Sequence, residues 1–365
     1  MPQDRTELDH QKWMHRCIQL ADLGKEWVAP NPMVGAVLVH DGGVLSEGWH
    51  HTFGSTHAEV ECLRGWPGEI PTGAVLYVNL EPCAHHGKTP PCADLLIERG
   101  VKSVVVGLQD PFAAVAGKGI ARLRAAGVDV RVGVLEAECR WAQRRFLTSV
   151  EVERPYIILK WARTADGFLD QQPRISRTVQ RISTPATDTL VHRWRSAEQA
   201  ILVGSRTVVN DDPSLTVRLV AGRQPLRVVL DREGITPAAS HVYDAQGPTL
   251  LFTGLQRNDI SADQFRIETD TDPITCILEE LHRRSIRSLL VEGGAELHTH
   301  LLRSGRWDEV RVITGSGKFD RGTPAPQMDG TAAMRRTSDT DLIELFVNPM
   351  SPITKDLQID PEWHL

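Results

Sequence analysis

The sequence predicts an α/β protein of two domains. The chain has 365 residues, more than one typical domain holds. Apolar strand-like runs alternate with stretches of helical period along both halves, which argues sheets with helices packed on them. The charged stretch Glu151-Val152-Glu153-Arg154-Pro155 interrupts that alternation and reads as a linker. The expected domains are therefore residues 1–150 and 151–365. Composition is ordinary for a soluble protein, with 41% hydrophobic and 24% charged residues. A net charge of −6 gives no basis for nucleic-acid binding. No apolar run is long enough for a membrane span, and Met1-Pro2-Gln3-Asp4-Arg5 has no signal-peptide core. A cytoplasmic protein is expected. Six cysteines in so long a chain make no disulfide framework.

The elements follow in order. Trp13, Met14, Cys17, Ile18 and Ala21 fall at helical spacing, which predicts an amphipathic helix over 8–23. Pro30-Asn31-Pro32 then breaks the chain. Val34–Val39 reads as a strand, Asp41-Gly42-Gly43 as a turn and Val44–Glu47 as the hairpin partner. A helix is expected over 57–64. Ala74–Leu80 is a nearly continuous apolar strand, expected to be buried on both faces. Further elements are a helix over 93–99, a strand over 103–107, a helix over 119–126 and a strand over 128–132. Lys118, with a glycine on either side, lacks a full phosphate-loop pattern and reads as a turn into a helix. Together these make a three-layer α/β/α domain. In the second half, strands are expected at 156–161, 200–204, 227–230, 249–252, 288–291 and 309–313, and helices at 185–197, 274–284 and 295–303. That alternation argues a largely parallel sheet. Residues 335–365 are polar and read as a covering segment or a loose tail.

The chemistry concentrates at His57-Ala58-Glu59-Val60, Pro82-Cys83 and Pro90-Pro91-Cys92. A His two residues before a Glu, followed by Pro-Cys and a second Cys, is the pattern of a zinc-dependent deaminase. His57, Cys83 and Cys92 supply one imidazole and two thiolates, three corners of a tetrahedral zinc site. The fourth corner stays open for a water, which zinc makes acidic. Glu59 is then no ligand but the proton carrier. Eight residues separate the two cysteines, more than in the generic pattern. They place His85, Lys88 and backbone groups beside the metal, which suits a polar, phosphorylated substrate. Cys17, Cys62, Cys139 and Cys276 read as buried thiols. Later, Val291-Glu292-Gly293-Gly294 lies between a strand and a helix. Glycines there allow close approach of a phosphate to the helix start, and an ordinary tight turn stays open beside that reading.

Asn31-Pro32-Met33-Val34-Gly35, the His57 motif and Leu80–Cys92 together resemble the bifunctional riboflavin-biosynthesis deaminase/reductase family, and Val115-Ala116-Gly117-Lys118-Gly119 also fits. The resemblance implies a cytidine-deaminase-like first domain in which Asn31, His50, His85 and Lys88 contact a phosphoribosylated pyrimidine. It implies a dihydrofolate-reductase-like second domain that uses NADPH to reduce the ribose of the deaminated product. Segments at 159–160, 166–167, 201–204, 211–218, 225–231 and 292–294 carry that second likeness. By position, Ala162, Thr207, Asp211 and Gly294 match cofactor contacts, and Arg195, Leu215, Arg218 and Glu292 match substrate contacts. Two arginines suit a phosphate clamp. A homodimer is also implied.

The chain departs from the family's pattern before Pro185. A substrate-binding Ser is Val179 here, and a Trp that packs on the cofactor is Arg181. Arg181 then either binds the NADPH 2′-phosphate or marks a paralogue whose reductase half is silent or retuned. Two further readings compete. A nucleoside, base or transfer-RNA deaminase conflicts with the long cysteine gap and the second domain. A structural zinc module needs a fourth ligand, and only three are persuasive.

Overall fold

The computed structural model describes residues 5–84, 90–112 and 115–354. The chain divides into two compact units, Met1–Val152 and Glu153–Leu365, each with its own sheet.

The first unit runs α1 (Arg5–Asp22), β1 (Gly35–His40), β2 (Gly43–Trp49), α2 (Ala58–Arg64), β3 (Val75–Leu80), α3 (Cys92–Glu98), β4 (Ser103–Leu108), α4 (Lys118–Ala125), β5 (Asp129–Val132), α5 (Glu136–Ala142) and α6 (Arg144–Glu151). The sheet order is β2-β1-β3-β4-β5. β1 is antiparallel to both neighbours, and β3, β4 and β5 are parallel. Asp41 and Gly42 join β1 to β2 with φ of 50° and 73°. That left-handed pair is the turn whose twist matches a two-residue hairpin. The apolar stripe of α1 buries Trp13, Met14, Cys17, Leu20 and Ala21 against β1 and β3. On the opposite face Ala36, Leu38, Leu76, Val78, Val104 and Val106 pack with α2, α3 and α4. The strand alternation thus serves two helical layers, giving the expected α/β/α sandwich. The short helices α5 and α6 have no counterpart in the sequence reading.

The second unit runs β6 (Tyr156–Arg163), β7 (Phe168–Gln171), α7 (Pro185–Ala197), β8 (Ala200–Gly204), α8 (Ser205–Asp211), β9 (Leu226–Leu230), β10 (Thr249–Thr253), β11 (Asp263–Arg266), α9 (Pro273–Arg283), β12 (Ser288–Val291), α10 (Ala295–Ser304), β13 (Glu309–Thr314), β14 (Gly322–Pro324), β15 (Met334–Ser338) and β16 (Asp341–Val347). Nine strands form one sheet in the order β11-β10-β9-β8-β12-β6-β13-β16-β15. It is parallel from β11 to β13 and antiparallel at β16 and β15. Alternate residues of its central strands feed two cores. Ile157, Leu159 and Leu202 face α9 and α10, while Ile158, Ile201 and Val203 face Val191 and Trp194 of α7. Thr184 and Asp272 cap α7 and α9, each followed by proline at the first helical position.

Two expectations need correction. Residues 335–347 are no loose tail: they lie in the antiparallel hairpin β15–β16, which zips onto β13 along six residue pairs. Arg335 and Arg336 disguise the segment, since its polar residues sit on an edge strand while Ile343 and Leu345 are buried. The strands β7, β11 and β14 and the helix α8 lack a readable period because they are short. Cys276 is half-buried, whereas Cys17, Cys62 and Cys139 are buried as expected. No described helix is long and apolar enough to cross a membrane.

Candidate active sites

In the first unit β3 ends at Leu80 and delivers Cys83 to the start of α3, whose first residue is Cys92. His57 stands at the start of α2 in extended conformation. The donor atoms of His57, Cys83 and Cys92 all lie within 4.8 Å of one another. His57 Nδ1 is 3.2 Å from Cys92 Sγ and 3.6 Å from Cys83 Sγ, and the Cys92 backbone N–H donates to Cys83 Sγ at 3.3 Å. One imidazole and two thiols converging this closely fit zinc. Bonds from the Cys92 side chain and from His57 outweigh burial and push the Cys83 thiol down to about 4.

Glu59 follows in the first turn of α2 and is 3% exposed. Burial, aided by charge on Cys83, pushes its carboxyl up to about 7. Asn31 and His50 meet beside the cluster. Asn31 Nδ2 donates to His50 Nε2 at 3.0 Å, and His50 Nδ1 donates to the Thr56 carbonyl at 2.9 Å. The His50 and His57 rings stand edge to face with centroids 5.7 Å apart. His85 and Lys88 lie outside the described residues.

Supporting residues came to light only in the structure. Asn79 accepts from the Gly35 N–H at 2.9 Å and donates to the Met33 carbonyl at 3.1 Å. Gln143 accepts from the Met33 N–H at 3.1 Å. Together they brace the loop that carries Asn31. Glu81, buried beside Pro82, accepts backbone N–H bonds from Asp110, Gly117, Gly119 and Ile120 at 2.9–3.2 Å. These bonds occupy the glycine-rich turn around Lys118, as expected for a turn into α4. A Cβ on Gly119 would sit 1.8 Å from the Pro82 carbonyl oxygen, so only glycine lets α4 approach the Cys83 segment.

In the second unit a cavity of about 950 Å³ opens at the carboxyl ends of β6, β8, β9 and β12. That is where open parallel sheets bind ligands. Ala162, Arg181, Arg195, Thr207, Asp211, Leu215, Arg218, Glu292 and Gly294 all line it. Arg195 grips Glu292 with Nε at 2.7 Å and Nη2 at 2.9 Å, and Lys160 Nζ approaches Glu292 at 3.6 Å. Burial would raise the Glu292 carboxyl, but Arg195 and Lys160 hold it down to about 2. Thr207 packs against Gly293, where a Cβ would come within 2.7 Å of its side chain. Gly294 turns into α10 with φ of 88°.

The two arginines named for a phosphate clamp differ in their partners. Arg195 is committed to Glu292 and to the Thr216 carbonyl, while the Arg218 guanidinium donates only to Thr216 Oγ1, at 3.3 Å, among the described residues. Arg181 pairs with Asp188 at 2.6 Å, and Asp211 accepts from Arg174. Sequence reasoning gave no role to Lys160, His192 or His298, which also line the cavity. Neither His298 ring nitrogen has a hydrogen-bond partner among the described residues, and burial pushes this imidazole down to about 3. A roomy cavity with a glycine turn, a free arginine and an orphaned buried imidazole fits a dinucleotide beside a polar substrate.

Comparison with known proteins assigns each unit to a known domain. Residues 7–108 match the model of the cytidine and deoxycytidylate deaminase zinc-binding region, and residues 155–319 match the RibD C-terminal domain. The riboflavin biosynthesis protein RibD of Aquifex aeolicus (strain VF5) is 39% identical over 84% of this chain and 86% of its own length. That of Bacillus amyloliquefaciens is 38% identical over 96% of this chain and 94% of its own. Among solved structures, a diaminohydroxyphosphoribosylaminopyrimidine deaminase/5-amino-6-(5-phosphoribosylamino)uracil reductase from Thermotoga maritima superimposes with a TM-score of 0.86. It is 34% identical and covers 94% of this chain and 100% of that one.

Proposed function

The chain belongs to the RibD family, and from that premise we propose how its two halves work. It is a bifunctional enzyme of riboflavin biosynthesis, a zinc-binding deaminase domain joined to a reductase domain. The substrates we assign are those named for the Thermotoga maritima relative. The observation that carries the deaminase reading is the convergence of His57, Cys83 and Cys92 next to a buried Glu59.

His57, Cys83 and Cys92 would hold the zinc, which when bound would provide a nucleophilic hydroxide near neutral pH. Glu59 would take a proton from the attacking water and pass it to the ring nitrogen, then take the proton of the newly added hydroxyl and pass it to the amine, which leaves as ammonia. Its raised affinity for a proton suits both halves of that exchange. Asn31, His50, His85 and Lys88 are assigned to orient the ring and phosphate, the last two by family resemblance alone because they lie outside the described residues. In the second domain Ala162, Thr207, Asp211 and Gly294 would border NADPH, which when bound would supply the hydride. Hydride transfer needs orientation more than acid–base help. Glu292, immobilised by Arg195 and Lys160, gives the sugar hydroxyls a fixed acceptor, and Leu215 and Arg218 complete the substrate side. We place Arg181 with Asp188 at the cavity wall rather than on the cofactor phosphate. The family reading also implies a homodimer in the cytoplasm, and light scattering on the purified chain checks the dimer.

The test is to incubate the purified protein with the diaminopyrimidinone ribosylamine phosphate, with and without NADPH, following ammonia and cofactor absorbance separately. Ammonia release with NADPH consumption is expected. Ammonia without NADPH consumption would instead make the chain a deaminase-only paralogue. No ammonia from zinc-loaded protein would overturn the substrate assignment.

A further inference from the structure

Helix α7 turns one face to the reductase cavity. Asp188, His192 and Arg195 lie four and three residues apart, so they stack along that face, and all three line the cavity. Asp188 is taken up by Arg181 and Ser183, and Arg195 by Glu292. His192 is different. Its Nδ1 accepts the backbone N–H of Arg218 at 3.0 Å. In the neutral ring the proton therefore sits on Nε2. Nε2 has no hydrogen-bond partner among the described residues. It is also absent from the fully buried, unpaired polar atoms, although the residue as a whole is 4% exposed. Nε2–H is thus a fixed donor facing the cavity.

The charges acting on His192 are of both signs, Arg195 and Arg218 against Glu292 and Asp188, and burial together with the two arginines prevails. The Arg218 guanidinium has no carboxylate partner among the described residues. Arg195 is already balanced by Glu292, with Lys160 close by. Burial and the charges of Arg195 and Arg218 push the His192 imidazole down to about 4, which keeps it in the neutral Nε2–H form. A surplus guanidinium beside an oriented N–H donor is the chemistry that binds a phosphoryl group.

We propose that His192 recognises the phosphate end of the reductase substrate, donating Nε2–H to a phosphate oxygen while Nδ1 fixes the backbone from which Arg218 reaches the same group. The inference rests on the reductase reading above. A dinucleotide also carries phosphate, but Thr207 of α8 packs on the Gly293–Gly294 turn at the start of α10, whereas His192 belongs to α7 beside the sugar-facing Glu292 pair.

Two variants separate the two ring nitrogens. His192→Asn keeps an acceptor near Nδ1 and removes the Nε2 donor. His192→Gln keeps a donor near Nε2 and removes the Nδ1 contact. With 5-amino-6-(5-phosphoribosylamino)uracil, His192→Asn is expected to raise KM about tenfold to a hundredfold, the worth of a hydrogen bond to a charged group. The kcat should stay within about twofold, as for a group that binds ground and transition states alike. His192→Gln should recover part of the loss. KM for the dephosphorylated substrate and the Kd for NADPH, read by fluorescence titration, should not move. Equal changes for both substrate forms, a change confined to NADPH, or no change would each overturn the proposal. If wild-type protein consumes no NADPH at all, the reductase reading fails by itself. Calorimetric titration with ribose 5-phosphate then decides: weaker binding by folded His192→Asn supports the phosphate role, and equal binding overturns it.

Discussion

The deaminase cluster draws its donors from positions 57, 83 and 92, at the ends of three neighbouring elements. The reductase cavity is assembled differently: Arg195 meets Glu292 across 97 residues of sequence, and its walls come from β6, α7, β8, α8, β9, β12 and α10. The first site depends on a compact donor set with one buried carboxyl. The second depends on charges that neutralise one another at a distance along the chain. A substitution in the first should remove one activity and leave the fold. A substitution in the second should disturb activity and stability together.

The sharpest break is at Glu59. Glu59→Gln should lower ammonia release by at least about a hundredfold, the lower end of what general acid–base catalysis contributes. Zinc content, and NADPH consumption on the already deaminated substrate, should stay at wild-type levels. Ammonia release within tenfold of wild type would remove Glu59 from the proton path.

Glu292→Gln should act on both fronts. It strands Arg195 and Lys160 in the cavity, and losing one partner of a buried pair costs about 3–5 kcal/mol. Chemical unfolding should show that loss, alongside a rise in the reductase KM. The pH dependence follows from the lowered carboxyl, about 2 in the folded chain against 4.5 ordinarily. Its stabilisation is full above the ordinary value and disappears as pH falls toward 2. At 1.36 kcal/mol per pH unit, it is worth ~3 kcal/mol. Unfolding curves between pH 6 and pH 3 should therefore be flatter in Glu292→Gln than in wild type. Parallel curves would mean that Glu292 is not held by its two cations.

Arg181 should matter least. Its pair with Asp188 is exposed on the arginine side, so Arg181→Ala should change stability by less than about 1 kcal/mol. The NADPH Kd should be unaffected. A tenfold weaker Kd would return Arg181 to the cofactor phosphate and make the cavity's charge pattern one of dinucleotide recognition.

The same contrast explains what could be read in advance. His57, Glu59, Cys83 and Cys92 were legible because zinc chemistry demands particular residue types at short spacing. The long regular elements were legible because apolar periodicity persists over enough residues to be seen, as in α1 and α7. Asn79, Glu81 and Gln143 were not, since each is a single polar residue whose role is to satisfy backbone groups of a loop remote in sequence. The β15–β16 hairpin was hidden by the polar side chains of an edge strand. Arg195 and Arg218 looked equivalent in the sequence, yet only one of them meets a carboxylate.

Sequence by itself pointed to the His57, Cys83 and Cys92 cluster, to the Glu59 carboxyl beside it, to the alternation that builds two α/β units and to the family. Tertiary structure decided which cations stay free, which helix face lines the cavity and which backbone N–H groups Glu81 occupies. The physical reason is range. Covalent spacing dictates which donors lie at neighbouring element ends, whereas charge pairing and hydrogen-bond satisfaction depend on distances that exist only once the sheet has formed.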